Sequence, residues 1–221
     1  ASVVGHVFVK EAVTHLVPER MRDEVGHHLG ALTDKQLVLP DLARSLEEEA
    51  FRFHHILIRD TAYEGILKRS RATYHEQFVD WADSVNREGA TEYEEILGYH
   101  LEQAHRYLVE LAPLDLHARS LALDGARRLA SAGRRAFARG DVPAAANLLG
   151  RAVALLADHQ DARLELLPDY GEALLQVGRF EESQTFLDEA IRLGDETGAA
   201  SVRAHAALVL LLVRLRTGDQ E

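Results

Sequence analysis

The sequence predicts a mainly α-helical chain in which a small N-terminal domain carrying a β-hairpin precedes a stack of helical hairpins. Three observations predict it. Apolar residues recur at helical spacing through most of the 221 residues, two short runs near positions 37–40 and 51–53 alternate like strands, and a glycine and alanine pattern repeats in the second half. The composition, 47% apolar and 28% charged, is that of folded protein rather than of a disordered tail. The most apolar stretch, Ala204 to Val213, contains His205 and is flanked by Arg203 and Arg214, far short of the roughly 20 residues needed to span a bilayer. No membrane span is expected. Cysteine is absent, so disulfides, thiolate metal sites and thiol catalysis are excluded and a cytoplasmic setting is expected. The apolar start at Val3-Val4 and the stop at Asp219-Gln220-Glu221, just after a periodic helix, read as the ends of an excised fragment.

Charge is uneven. The net charge is −11, of which residues 1–110 carry −8 and the remainder −3. A general electrostatic grip on nucleic acid is therefore disfavoured. Two compositional regimes meet near Pro113: ten of the fourteen aromatic residues and all three lysines, Lys10, Lys35 and Lys68, lie before it, whereas Ala, Leu and Arg with regular Gly lie after it.

In the first regime Lys10–Leu16 reads as a short helix. Met21, Val25, Leu29 and Leu32 form one stripe on a second helix that could start at Pro18 and end near Thr33. Leu37–Pro40 and Phe51–Phe53 read as short antiparallel strands joined through the acidic link Glu47-Glu48-Glu49. From His55 a long helix is expected to run through Tyr63 towards Trp81, with a break near Ser70. Short helices followed by a two-stranded hairpin is the order of a winged helix-turn-helix domain, expected over residues 1–90.

The second regime repeats with an offset of 38 residues. Gly133 matches Gly171, Gly140 matches Gly178, Ala145 matches Ser183, Leu149 matches Leu187 and Ala152 matches Ala190, while Gly218 lies 40 residues beyond Gly178. Gly133 and Gly171 are expected where paired helices approach closely, and Gly140 and Gly178 where a helix ends at positive φ. Ala152 and Ala190 are expected at the seam between the second helix and its neighbours, and Asp141 is expected to cap that helix with Pro143 in its first turn. Pro168 suggests a helix start near Leu167. The small residue, Gly, small residue, Ala spacing resembles tetratricopeptide repeats. One unit is expected at about 126–157, a second at about 164–195, and a third, closing at Gly218, is truncated after its first helix. Helices at Glu94–Leu108 and Leu114–Leu123 look like a degenerate linker over 91–125, which leaves 126–221 as the repeat domain. Leu208, Leu211, Leu212 and Leu215 of the truncated unit should form an exposed patch that supports self-association.

The block Phe53-His54-His55-Ile56-Leu57-Ile58-Arg59-Asp60-Thr61-Ala62-Tyr63, continued by Leu67-Lys68-Arg69-Ser70-Arg71 and His75, resembles a segment of bacterial STAND-type signalling ATPases. Ser2-Val3-Val4-Gly5 with Phe8, and Tyr99-His100-Leu101-Glu102-Gln103-Ala104, are similar to the same family. The resemblance implies a parent protein in which a winged helix and helical repeats follow an ATPase core that binds ATP or ADP, some members being linked to adenylate cyclases and others to transcriptional control. It implies that His55 touches the nucleotide phosphate in the resting state, and that partners are the upstream ATPase domain and a protein or small ligand in the repeat groove. His54 stands where the family more often has Arg.

The chain itself holds no phosphate-cradling glycine loop, so no catalytic residue and no bound cofactor are expected in it. Two Glu-x-x-His steps, Glu24/His27 and Glu102/His105, lie in different regions, and His75-Glu76 lacks the second histidine of a zinc-protease motif because position 79 is Val79. No metal site is expected. DNA binding by the winged helix is the alternative reading, opposed by Glu19, Asp23, Glu24 and Asp34 interleaved with Arg20, Arg22 and Lys35. The cluster Lys68-Arg69 with Arg71 reads as a solvated helix face or a contact for an acidic ATPase surface.

Overall fold

The computed structural model describes residues 1–41, 49–85, 93–113 and 115–218, which divide into two compact units. The first unit comprises residues 1–90 and 103–114, and the second comprises residues 91–102 and 115–221.

In the first unit the order is β1 (Val7–Val9), α1 (Lys10–Leu16), a 3-10 turn (Glu19–Glu24), α2 (Val25–Asp34), β2 (Val38–Pro40), β3 (Ala50–Phe53), α3 (Ile56–Glu64) and α4 (Lys68–Val85). The expected hairpin is present, with Val38 opposite Phe53 and Leu39 opposite Arg52 in antiparallel register. A third strand, β1, pairs with the other edge of β3, so that β3 is central and Phe8 lies opposite Phe51. Alternation along β3 sends Phe51 and Phe53 inward and Arg52 outward. The inward rings meet Phe8, with centroids 6.0 and 5.3 Å away, and Val13, Val25, Leu29 and Val38 close the core around them.

Two expectations in this unit are corrected. The stripe from Met21 does not extend one helix back to Pro18, because Glu19–Glu24 is a 3-10 turn with no buried residue and α2 begins at Val25. The only apolar residue of that turn is Met21, which is exposed, so burial does not stabilise a longer helix there. The long helix from His55 breaks at Gly65 rather than near Ser70. The Arg71 side chain donates to the carbonyls of Ile66 at 2.8 Å and Glu64 at 2.7 Å, and these bonds satisfy the end of α3 before α4 starts. Of the acidic link, Glu47 and Glu48 lie outside the described residues.

In the second unit α5 (Glu94–Leu111) contributes its first half, followed by α6 (Leu116–Ala138), α7 (Val142–Leu155), α8 (Gln160–Gln176), α9 (Phe180–Thr197) and α10 (Ala200–Thr217). The helices α6/α7 and α8/α9 are the two expected hairpins. A Cβ built on Gly133 would stand 2.9 Å from Leu149 Cγ, and one on Gly171 would stand 2.6 Å from Leu187 Cδ2. Both leucines are fully buried, so neither has room to retreat. Gly140, Gly178 and Gly218 take φ of 82, 81 and 82° at the end of α6, α8 and α10. The Asp141 carboxylate accepts from the Ala144 amide, capping α7 with Pro143 in its first turn. Ala145, Ala152 and Ala190 are buried in the seam, and Ser183, where the α6/α7 hairpin has Ala145, is accommodated by donating to the Gly171 carbonyl at 2.6 Å.

Two boundaries in this unit differ from expectation. The second hairpin does not start near Leu167: α8 begins at Gln160 and carries Pro168 inside it. Leu164, Leu166 and Leu167 on the preceding turns are buried, and their burial, about 1.5–3 kcal/mol for each side chain, offsets the roughly 3 kcal/mol that an interior proline costs. Residues 116–138 form one 23-residue helix, not separate helices divided at 125/126. Gly125 lies inside it as a contact residue, where an added Cβ would be 3.1 Å from Leu101 Cβ on α5. Leu114, the expected start of a helix, lies outside the described residues.

Substituting Gly171→Ala is expected to destabilise the chain by about 1–3 kcal/mol through overpacking against Leu187. Gly30→Ala, on the open face of α2, should stabilise it by about 0.5–1 kcal/mol through helix propensity alone. Urea midpoints of the two variants should therefore move in opposite directions.

Candidate functional site

The first helices of successive hairpins, α6, α8 and α10, run side by side and expose a common face. Between α6 and α8 lies an open cleft of about 450 Å³ lined by Leu123, Arg127, Ala130, Arg134, Glu165 and Leu166 among others. A smaller cleft of about 210 Å³ continues it past Phe137, Asp169 and Glu172. Arg134 Nε meets Asp169 Oδ2 at 2.6 Å across these helices, and His205 Nε2 lies 3.8 Å from Glu172 on the way to α10. The face therefore changes in character along its length: on α6 Arg127 is paired with Asp124 at 2.6 Å and Arg134 with Asp169 of α8, Glu165 and Glu172 add carboxylates on α8, and Leu208, Leu212 and Leu215 are exposed on α10. A cleft with ion-paired charges at one end and exposed leucines at the other can receive an extended or helical segment in one orientation, and the surface pairs that line it yield at little cost.

Ion pairs tie the helices that carry the cleft to their neighbours. Arg163 forms a bidentate pair with Glu189 and so ties α8 to α9, and Arg151 holds Glu102 through two nitrogens, joining α7 to α5. Arg128 is buried between Asp124 at 3.2 Å and Glu94 at 3.8 Å. The glycine and alanine positions expected from the repeat, Gly133, Gly140, Ala145, Ala152, Gly171, Gly178, Ala190 and Gly218, all fall in this unit and build the scaffold of the cleft.

His55 belongs to the first unit. Its Nδ1 accepts from the Leu57 amide at 3.1 Å, which makes it the N-cap of α3 and leaves Nε2 on an exposed ring. His54 Nδ1 bonds the Gln36 carbonyl at 2.8 Å, and Gln36 itself sits at φ 54° in the turn before β2. Among the described residues no group of three or more His, Asp or Glu side chains is placed to share a metal ion. Glu24 lies 3.4 Å from His28 rather than beside His27, and Glu102 is engaged by Arg151. No helix of the described residues is long and apolar enough to cross a membrane.

Around α3, α4 and the second half of α5, three arginines alternate with two tyrosine rings. Arg59 and Arg71 each lie 4.8 Å from the Tyr63 ring centroid, while Arg71 and Arg106 lie 5.4 and 4.9 Å from that of Tyr107. The Tyr107 hydroxyl is the hub, 2.9 Å from the Tyr63 hydroxyl and within reach of Arg106 at 3.0 Å and Arg71 at 3.4 Å. Tyr63 in turn meets Nε2 of the fully buried His75 at 2.8 Å. Burial pushes the Tyr107 phenol up, but the bonds from Tyr63, Arg71 and Arg106 outweigh it and hold the group below its ordinary value. Sequence spacing shows the pairs Arg59/Tyr63 and Arg71/His75, each four residues apart. It carries no sign of Tyr107, which lies 44 residues from Tyr63.

Fold and cleft define a stacked helical-hairpin repeat. Residues 136–208 match the family model described as tetratricopeptide repeat, which supports a TPR-like helical region over that segment. A solved structure of nearly identical TPR-like repeats from Podosopora anserina is similar at 15% identity, covering 92% of this chain and 90% of that one with a TM-score of 0.38. A substituted form of the same repeats, also at 15% identity, gives 91%, 88% and 0.39. No curated protein sequence matches the chain.

Tyr107→Phe removes the hub while keeping the ring, and should lower stability by about 0.5–1.5 kcal/mol because the partly buried Tyr63 and Arg71 lose a partner. Chemical unfolding followed by circular dichroism reads it.

Proposed function

We propose that this chain is the regulatory and partner-binding portion of a STAND-type signalling ATPase, a winged-helix domain joined to tetratricopeptide-type repeats whose cleft captures a protein segment. The observation that carries the binding role is the face of α6, α8 and α10, where paired guanidinium and carboxylate groups give way to exposed leucines on a scaffold closed by Gly133 and Gly171. Repeat arrays use such faces for proteins and peptides and not for chemistry, and nothing in the cleft resembles a nucleophile held by a base.

The domain context rests on the block from Phe53 to His75 and on the β1-β3-β2 sheet with α1 and α2, which accords with a winged helix. In the parent, ATP or ADP would bind the upstream ATPase domain, in the cytoplasm, and capture of a partner by the repeats would shift a two-state equilibrium of that domain. His55 would serve as the nucleotide sensor through Nε2, since Nδ1 is committed to the cap. DNA binding is not part of this reading, because acidic residues interleave with Arg20, Arg22 and Lys35.

The test is selection of binders from a displayed library of peptides of about 15–20 residues, the length of a groove-bound segment. Selected peptides should lose at least about tenfold in affinity for the Glu172→Arg/Leu212→Ser variant and keep it for a substitution on the outer face of α7. Binders indifferent to the cleft variant would contradict the reading, as would robust ATP turnover by the chain.

A further inference from the structure

The cleft between α6 and α8 combines an apolar floor with uncompensated negative charge, and the two together describe what can fill it. Ala126 and Ala130 of α6 and Ala162 of α8 line it with Leu123 and Leu166. Ala126 and Ala130 are almost wholly buried, so short side chains form the floor. The space they leave, about 450 Å³, lies within the roughly 300–1,000 Å³ of ordinary binding pockets. A bulky apolar side chain from outside can enter there.

The charges narrow the choice of partner. Among the described residues, two arginines and four carboxylates line the cleft and its continuation: Arg127 and Arg134 against Asp124, Glu165, Asp169 and Glu172. Both guanidinium groups are already committed, Arg127 to Asp124 at 2.6 Å and Arg134 to Asp169 at 2.6 Å. Glu165 is exposed and makes no ion pair among the described residues, and Glu172 has only His205 at 3.8 Å, which is charged only when protonated. Glu165, Asp169 and Glu172 follow one another at four and three residues on one face of α8, a spacing at which like charges repel. Arg134 relieves Asp169 alone. Two carboxylates about 10 Å apart along α8 are thus left without a cation, beside a pocket that accepts an apolar side chain.

We propose that the cleft takes a basic amphipathic segment of a protein partner, with a bulky apolar side chain seated over Ala126, Ala130 and Ala162 and Lys or Arg side chains reaching Glu165 and Glu172. The inference rests on the reading of this cleft as the partner-binding site and adds the partner's chemistry to it. The net charge of −11 acts in the same direction, since it draws a cationic segment in from a distance. An acidic segment would have to break the Arg127–Asp124 or Arg134–Asp169 pair and would then face Glu165 and Glu172, a juxtaposition of like charges that costs affinity.

The composition of peptides selected from the displayed library is the first readout, and fluorescence anisotropy of a selected peptide on charge variants is the second. Selected peptides should carry Lys or Arg together with at least one large apolar residue, and few Asp or Glu. Glu165→Lys and Glu172→Lys should each weaken binding at least about threefold, whereas Glu181→Lys, an equal change of net charge at an exposed site on α9, should leave it within about twofold. The isosteric Glu165→Gln/Glu172→Gln chain, which disturbs no packing, should show the same loss in smaller measure. A peptide whose cations are replaced by Glu should fail on the unsubstituted chain and bind the Glu165→Lys/Glu172→Lys chain. Acidic or neutral peptides that still lose affinity for the Glu172→Arg/Leu212→Ser chain overturn this inference alone, because the cleft then binds a partner of different chemistry. Basic peptides weakened as much by Glu181→Lys as by Glu165→Lys also overturn it, since the attraction is then general and not sited. Peptides indifferent to Glu172→Arg/Leu212→Ser, or a selection that yields no binder, overturn the inference together with the reading on which it rests.

Discussion

The structure of the second unit depends on how closely two helices can stand when one of them offers no side chain. At Gly133 and Gly171 the facing leucines, Leu149 and Leu187, fill the space that a methyl group would need. That approach places Ala145 and Ala152, and their counterparts Ser183 and Ala190, in a seam too narrow for larger residues. The positive-φ glycines then turn the chain at the same point in each unit, so that α6, α8 and α10 come to lie in register. The cleft is a consequence of this register. Its charged residues are attached to a frame whose spacing the small residues set.

The first unit is held by different means. A three-stranded sheet whose three phenylalanines interlock forms its centre, and a ladder of guanidinium groups and phenol rings around Tyr107 organises the helices that follow. The ladder concentrates three arginines in a chain that is acidic overall. Tyrosine hydroxyls, backbone carbonyls and the aromatic faces take up those guanidinium groups, with Asp60 the carboxylate nearest to Arg59. Cation and ring contacts of this kind are worth about 0.5–2 kcal/mol each.

What the sequence disclosed and what it hid separate along a physical line. Backbone constraints that recur, such as Gly133 with Gly171 and Gly140 with Gly178, leave a spacing that can be read without coordinates, and so do local caps such as Asp141. Contacts between distant residues leave no such mark: β1 is three residues long and finds its partner about 43 positions away, and Tyr107 is recruited to Tyr63 across 44. Helix breaks escape sequence reading where a side chain elsewhere decides them. Arg71 ends α3 at Gly65, and burial of the leucines around Pro168 carries α8 through a residue that taken alone signals a stop. His55 is legible as a helix-starting residue, and its capping bond agrees. The order of charged stations along the cleft cannot be read in advance, because it depends on which faces of α6, α8 and α10 lie adjacent.

The proximity of Gly171 to Leu187 and of Gly133 to Leu149 underlies all of this, and a nuclear Overhauser measurement on methyl-labelled protein reports it directly. Strong cross-peaks from the α-protons of both glycines to the methyl groups of their respective leucines are the predicted result. Absence of both, with the helices otherwise intact, would contradict the hairpin packing from which the register, the seam and the cleft all follow.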